Sequence, residues 1–230
     1  MLTDLPVVLD LFCGRTGGAA AGYQRAGFWV VGVDIEPCPD YPARAYLGDA
    51  LELLPSLVRK WRPALVHASP PCQGIGTLAQ GTMPELAVRH PDMISKTREA
   101  LERTRLPYVI ENVPGSKIRR DVLLCGEMFG LGVIMHRVFE LGRWSTKAPV
   151  HQKHRGWVRG WRHGVWRDGP YVAAYGRGGG KATVAEMRLA KGIDWSSDHL
   201  GLRDALPPAY TDFIGTAFLA SPRMWQDTWL

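Results

Sequence analysis

The strongest constraint in this chain is an alternation. Short β-branched runs, each stopped by a polar or glycine-rich cluster, are separated by segments with helical spacing. Pro6 to Phe12 (PVVLDLF), Phe28 to Val33, Ala64 to Ala68, Tyr108 to Ile110 and Val138 to Leu141 read as strands. Ala19 to Arg25, Leu51 to Trp61 and Met93 to Arg105 read as helices. In the last, Ile94, Thr97, Leu101 and Thr104 recur at helical spacing behind Asp92 as N-cap. Strands joined by helices imply βαβ units and a mainly parallel sheet, an α/β chain of Rossmann-like type. Ligands of such sheets gather beyond the carboxyl ends of the strands. The polar clusters Cys13 to Gly18, Asp34, Ser69 to Gln73 and Glu111-Asn112 all follow strands, so one sheet edge receives them all.

At 230 residues the chain is one large domain, or one domain with an appendage, and can bury a core without disulfides or metals. No apolar run approaches the roughly 18 residues of a membrane span. Met1 to Asp10 holds two acids and no basic stretch, unlike a signal peptide. Cys13, Cys38, Cys72 and Cys125 lie far apart with no Cys-x-x-Cys or Cys/His ligand spacing, so neither a metal site nor a disulfide scaffold is expected, and a reducing cytoplasm is the default.

The alternation fails from about Gly142 to Lys181. The expected organisation is therefore an α/β domain over 1–141, a small basic region over 142–181, and returning helices over 182–230 (Val184 to Lys191, Asp198 to Leu206, Pro208 to Leu219). His151 to Lys181 carries seven basic residues (Lys153, Arg155, Arg159, Arg162, Arg167, Arg177, Lys181) against Asp168 alone, which is the whole +6 excess of the chain. Trp157, Trp161, Trp166, Tyr171 and Tyr175 interleave with them. Cations meet phosphates and rings stack on bases, so a nucleic acid is one reading; tryptophans tucked into the core under a solvated loop is the other.

Four constellations carry chemistry. Cys13-Gly14-Arg15-Thr16-Gly17-Gly18 joins a strand to a helix, where glycines admit a ligand to the backbone and the helix N-terminus favours an anion. Asp34, ending the next strand, suits a ribose of a nucleotide-like cofactor. Neither a G-x-G-x-x-G fingerprint nor a Walker lysine is present. Ser69-Pro70-Pro71-Cys72-Gln73-Gly74 fixes the backbone just before a thiol, a candidate nucleophile. Glu111-Asn112-Val113 offers a carboxyl at the next strand end. His136-Arg137 precedes the strand that follows.

In this order the pieces resemble the cytosine-C5 DNA methyltransferases, from Val7 to about Phe139 and again from about Leu206 to Ala217. Asp10-Leu11-Phe12-Cys13-Gly14 is similar to the family's first cofactor motif, Pro71-Cys72-Gln73 to its nucleophile motif, Glu111-Asn112-Val113 to its base-holding motif, and Arg137 to its second Gln-x-Arg-x-Arg arginine. The resemblance implies the methyltransferase fold with S-adenosylmethionine held by Phe12, Cys13, Gly14, Gly17, Gly18, Asp34, Ile35, Asp49, Pro71 and Thr216. It implies catalysis by Cys72, Glu111 and Arg137, and contacts to the target base or DNA from Gln73, Asn112, Arg155, Arg159, Arg162, Arg167 and Arg177. Gly74 to His90 would be a lid over a flipped cytosine. The implied partner is duplex DNA with a short recognition site; a restriction endonuclease is a further partner open to such an enzyme, and a monomer is expected. The chain departs from the family pattern at a glycine loop one residue longer (Arg15-Thr16), at Met135 for the first arginine, at Thr216 for an asparagine, and in its reduced recognition region, which resembles compact bacterial and viral forms. Three rivals stay open: the same chemistry on RNA or a free cytosine nucleotide, a non-catalytic DNA-binding protein with a vestigial pocket, and a Rossmann enzyme with another cofactor.

Overall fold

The computed structural model describes residues 5–71, 93–162, 164–174 and 182–221. The candidate nucleophile Cys72, Gln73, the expected lid Gly74 to His90, the cap Asp92 and Arg177 lie outside the described residues.

The apolar runs form the strands expected of them. β1 (Val7–Leu11), β2 (Trp29–Asp34), β3 (Arg44–Leu47), β4 (Leu65–Ala68) and β5 (Tyr108–Asn112) are mutually parallel. β7 (Arg137–Gly142) returns antiparallel to β5, and β6 (Val122–Leu124) pairs antiparallel with β7. The sheet order is β3-β2-β1-β4-β5-β7-β6. This is a Rossmann-like, mainly parallel sheet, consistent with a methyltransferase fold. Between the strands run α1 (Gly18–Arg25), α2 (Ala50–Trp61) and α3 (Met93–Thr104); α4 (Val184–Lys191), α5 (His199–Asp204) and α6 (Pro208–Ala220) close the chain. A short hairpin, β8 (Gly160–Arg162) with β9 (Val165–Arg167), occupies the basic stretch. No helix among the described residues is long and apolar enough to cross a membrane.

Two hydrophobic layers cover the sheet. Val8, Val30, Leu65, Val109 and Phe139 pack with α1 and α6, while Leu9, Val31, Val66 and Ile110 pack with α2 and α3. Period-2 alternation sends successive residues of each buried strand to opposite layers. α1 and α6 approach closely because α1 is small where they meet. A Cβ on Gly18 would lie 1.9 Å from the Leu206 carbonyl oxygen, and one on Gly22 2.0 Å from Thr211 Oγ1. Thr211 in turn donates to the Ala19 carbonyl at 2.8 Å.

The C-terminal helices are held by a buried lysine. Lys191 is 1% exposed, and its Nζ donates to the carbonyls of Leu202 (2.7 Å), Arg203 (2.9 Å) and Ala205 (2.8 Å). These are end carbonyls of α5 that lack intrahelical partners, and three acceptors take up all three ammonium protons. We expect Lys191→Met to lower stability by about 2–4 kcal/mol in urea unfolding, because three buried carbonyls lose a charged donor while one buried charge is removed. A loss below about 0.5 kcal/mol would show that water replaces the ammonium.

Candidate active site

The strand ends open onto a cleft of about 490 Å³. It is lined by Asp10 and Phe12 to Ala19 from the first strand and glycine loop, Asp34 and Glu36 after β2, Ser69 to Pro71 after β4, Glu111 to Val113 from β5, Arg137 from β7, and Gly201 and Arg203 to Leu206 from the C-terminal helices. Clusters far apart in sequence meet because parallel strands deliver their carboxyl ends to one edge.

The glycine loop is built tightly. Gly14 (φ 68°) and Gly17 (φ 65°) are left-handed, and open space surrounds the Gly14 α-carbon. Gly14 N–H donates to Asp34 Oδ2 at 2.8 Å, and Glu36 N–H to Oδ1 at 3.0 Å, so Asp34 ties the loop to the end of β2 while both oxygens keep lone pairs. The N-terminus of α1 has no side-chain cap and no acid in its first turn, and its residues Gly18 and Ala19 line the cleft. Its free N–H groups suit an anion such as a carboxylate. The extra loop residues are clamped from the C-terminal side. Arg15 Nε meets Asp198 Oδ2 at 2.5 Å, and Trp195 Nε1 donates to the Thr16 carbonyl at 3.0 Å.

Two acids are buried at the floor. Asp10 is fully buried; its Oδ2 accepts from Tyr41 at 2.9 Å and its Oδ1 has no hydrogen-bond partner. Burial pushes its carboxyl up to about 7, offset by the Tyr41 hydrogen bond and reinforced by Asp34 and Glu111. Asp10 belongs to the first motif, yet burial inside an apolar strand hides its role from pattern reading. Glu111 is 7% exposed. Burial raises its pKa, and the Arg137 guanidinium and the Ser69 hydroxyl pull it back. Arg137 Nε lies 2.9 Å from Glu111 Oε1, but out of line, so that oxygen is charge-paired without a hydrogen-bond donor. Ser69 is steadied by His67 Nε2 at 3.0 Å, and the other nitrogen of that fully buried ring meets Tyr23 Oη at 2.9 Å. Desolvation lowers His67 to about 3, so the ring is neutral.

Other expected site residues take different places. Glu111 and Asn112 lie within β5, not after it, because β7 extends the ladder to Asn112↔Val138. Asn112 Nδ2 donates to the Pro70 carbonyl at 2.9 Å and its Oδ1 accepts from Val113 N–H, so its amide holds the Ser69-Pro70-Pro71 segment that leads into Cys72. Asp49 caps α2 through Leu51 and Glu52 N–H (2.8 and 3.1 Å) and does not line the cleft. Ile35 is 73% exposed beside it. Thr216 faces solvent on α6, away from the cleft; the wall expected there comes from Gly201 to Leu206, within the segment read as helical from the sequence but not assigned to the site, because its place in the cleft is set by tertiary packing. Met135 is a core residue, buried in one apolar cluster with Val133 and Met187. Cys13 is buried, with Sγ 3.9 Å from Cys38 Sγ.

The basic stretch is part paired and part open. Arg155 Nε contacts Glu127 at 2.6 Å, and Arg159 pairs with Glu186. Arg167 stacks over Trp157, 4.5 Å from its centroid. Trp157, Trp161 and Trp166 are exposed, and Trp161 meets Trp166 edge-on across the hairpin at 5.7 Å, so the reading of tryptophans tucked into the core is overturned for these three; Tyr171 is buried.

A buried acid with a raised pKa binds its proton more tightly folded than unfolded. Its ionisation therefore costs stability as pH rises from about 4 to about 7. We expect wild-type stability, measured against Asp10→Asn by denaturation, to fall by about 2–4 kcal/mol across that window. Parallel curves for the two proteins would place the Asp10 charge in contact with water.

No protein-family model matches the chain, and no curated protein matches it. Among solved structures, a triple mutant of DNMT2 from Spodoptera frugiperda is similar at 20% identity and a TM-score of 0.42, over 58% of this chain and 48% of that one, so the match spans about half the length of that protein.

Proposed function

We propose that the chain is an S-adenosylmethionine-dependent cytosine-C5 methyltransferase acting on DNA. The observation that carries this reading is that one cleft joins the glycine loop and Asp34 to Glu111 and Arg137, and to the Ser69-Pro70-Pro71 segment bonded to Cys72. The residues present fit the cofactor's chemistry. Asp34, with lone pairs left on both oxygens, suits ribose hydroxyls, the uncapped N-terminus of α1 suits a carboxylate, and Asp10 Oδ1 is a buried acceptor without a partner. When bound, S-adenosylmethionine supplies an electrophilic methyl group on its sulfonium.

In this reading the Cys72 thiolate bonds to C6 of cytosine, which breaks conjugation and makes C5 enamine-like. Glu111, its carboxyl raised by burial, shares a proton with N3 and stabilises the charge that builds on the ring. Arg137 holds the Glu111 carboxyl by charge. With the cofactor bound, C5 would take its sulfonium methyl group and release the neutral thioether; loss of the C5 proton to water and expulsion of the Cys72 thiolate would then restore the ring. The base must leave the duplex first, at a cost of a few kcal/mol. The exposed hairpin tryptophans and the Arg167–Trp157 pair supply rings and charge for a nucleic acid. Compactness of the hairpin keeps an RNA acceptor as the second reading.

Mass spectrometry with 5-fluorocytosine DNA is expected to give a covalent adduct in the wild type and none in Cys72→Ser; no wild-type adduct favours the vestigial binder. Glu111→Gln should lower kcat by about 10²–10⁴-fold with a smaller change in KM. Tritium transfer to duplex DNA, tRNA and dCMP decides the acceptor. With Arg155 and Arg159 already paired to carboxylates outside the stretch, a net charge of about four remains to meet phosphates, so the log–log salt slope of DNA binding is expected near −4. A slope near zero would remove the stretch from DNA binding.

A further inference from the structure

Away from the cleft, the far edge of the sheet gathers one thiol and three imidazoles. Cys125 follows β6 and His136 precedes β7; because Leu124 pairs with Arg137, the two face each other one step beyond the ladder. His151 and His154 come from the irregular segment between β7 and β8. The four ligand atoms all lie within 4.8 Å of one another. Cys125 Sγ is 3.5 Å from His154 Nε2, and His136 Nε2 is 3.0 Å from His151 Nε2.

The ring positions are more telling. The three imidazole centroids are 5.0, 5.1 and 5.0 Å apart, nearly an equilateral triangle. A tetrahedral zinc ion with Zn–N near 2.0–2.1 Å puts imidazole centroids roughly 5.2 Å apart, and its ligand atoms roughly 3.3–3.7 Å apart. A metal-free packing of histidines has no reason to turn three Nε2 atoms and a buried thiol toward one point, since those polar atoms then compete for few protons. Arg120 and Arg137 add positive charge near His136. A Cys125 thiolate offsets it, as does the Glu127 carboxylate, which Arg155 and the Tyr171 hydroxyl hold beside His154. A surface recess lined by Pro114, Arg120, Leu123, His136 and His151 gives an ion a path in.

We propose that Cys125, His136, His151 and His154 form a closed structural zinc site that pins the start of the basic, tryptophan-bearing segment to the β6–β7 edge of the sheet. Three nitrogens and one sulfur suit zinc, and four protein ligands leave no open position for chemistry. Sequence spacing argues against a metal because 10, 14 and 2 residues separate successive ligands; the fold supplies the proximity that the spacing conceals. The proposal stands apart from the methyl-transfer reading, since none of the four residues lines the cleft.

The test is metal analysis of tag-free protein after gel filtration, with cobalt(II) as spectroscopic probe. One zinc per chain is expected. Cobalt-loaded protein should show the intense visible bands of a tetrahedral site and a thiolate-to-metal charge-transfer band that is absent in Cys125→Ser. His154→Ala should bind zinc at least about 100-fold more weakly, since loss of a mere outer-shell partner costs up to that much. Chelation should lower Tm by about 5 °C or more. Should Cys125→Ser fail to fold, His151→Ala, on the irregular segment, carries the ligand test. Metal-free protein that takes up no zinc, a weak octahedral cobalt spectrum, or charge-transfer absorption that survives in Cys125→Ser would each overturn the site.

Discussion

The cost of burying carboxyl groups organises this molecule. An ionised carboxylate in an apolar interior costs several kcal/mol unless it is paired, yet Asp10 and Glu111 sit at the floor of one cleft, each with an oxygen that no hydrogen bond satisfies. Nothing in the apolar layers gains from that. Glu140, also fully buried, shows the ordinary solution: Arg98 grips both of its oxygens, at 2.8 and 2.7 Å, and the Arg119 N–H adds a third bond. The difference is between a fully bonded carboxylate that holds strands together and two under-bonded ones, Asp10 and Glu111, that line the cleft.

Around that floor, Asp34 and Asn112 hold backbone in place. Asp34 fastens the glycine loop to β2, Asn112 fastens the Pro70 carbonyl, and Ser69 leans on a neutral His67. The longer glycine loop is accommodated by the same logic. Arg15 reaches Asp198, the cap of α5, and Lys191 locks the other end of that helix. Residues nearly two hundred positions apart thus shape one wall, and the C-terminal segment takes the place of the missing asparagine motif by building the cleft from α5 and its following turn.

What was legible in the sequence follows from burial. β1, β2, β4 and β5 lie inside the sheet with neighbours on both sides, so their residues form continuous apolar runs. β3 and β6 are its two edges, and neither was legible: Arg44–Leu47 is largely exposed and mixes charge with apolar residues, and Val122–Leu124 is three residues long. Glycines and acids placed after strands could be assigned to one edge, and Asp34, Glu111, Gly14 and Arg137 do meet there. Ile35, Asp49 and Thr216 rested on family position alone; one is a helix cap and the other two face solvent. Their roles depend on contacts that no local pattern records.

Charge in the basic stretch is the instructive case, since composition counts cations and not their partners. Arg155 is taken by Glu127, from the 3-10 turn after β6, and Arg159 by Glu186, from the capping box of α4. These pairs are partly exposed, so each contributes little to stability. Their effect is positional: Arg155 ties the segment to the turn after β6, and Arg159 ties it to the first turn of α4. The hairpin bearing Trp161 and Trp166 follows directly from these moored residues. Two residues that composition assigns to phosphates therefore serve as moorings instead, held by carboxylates that lie outside the basic stretch.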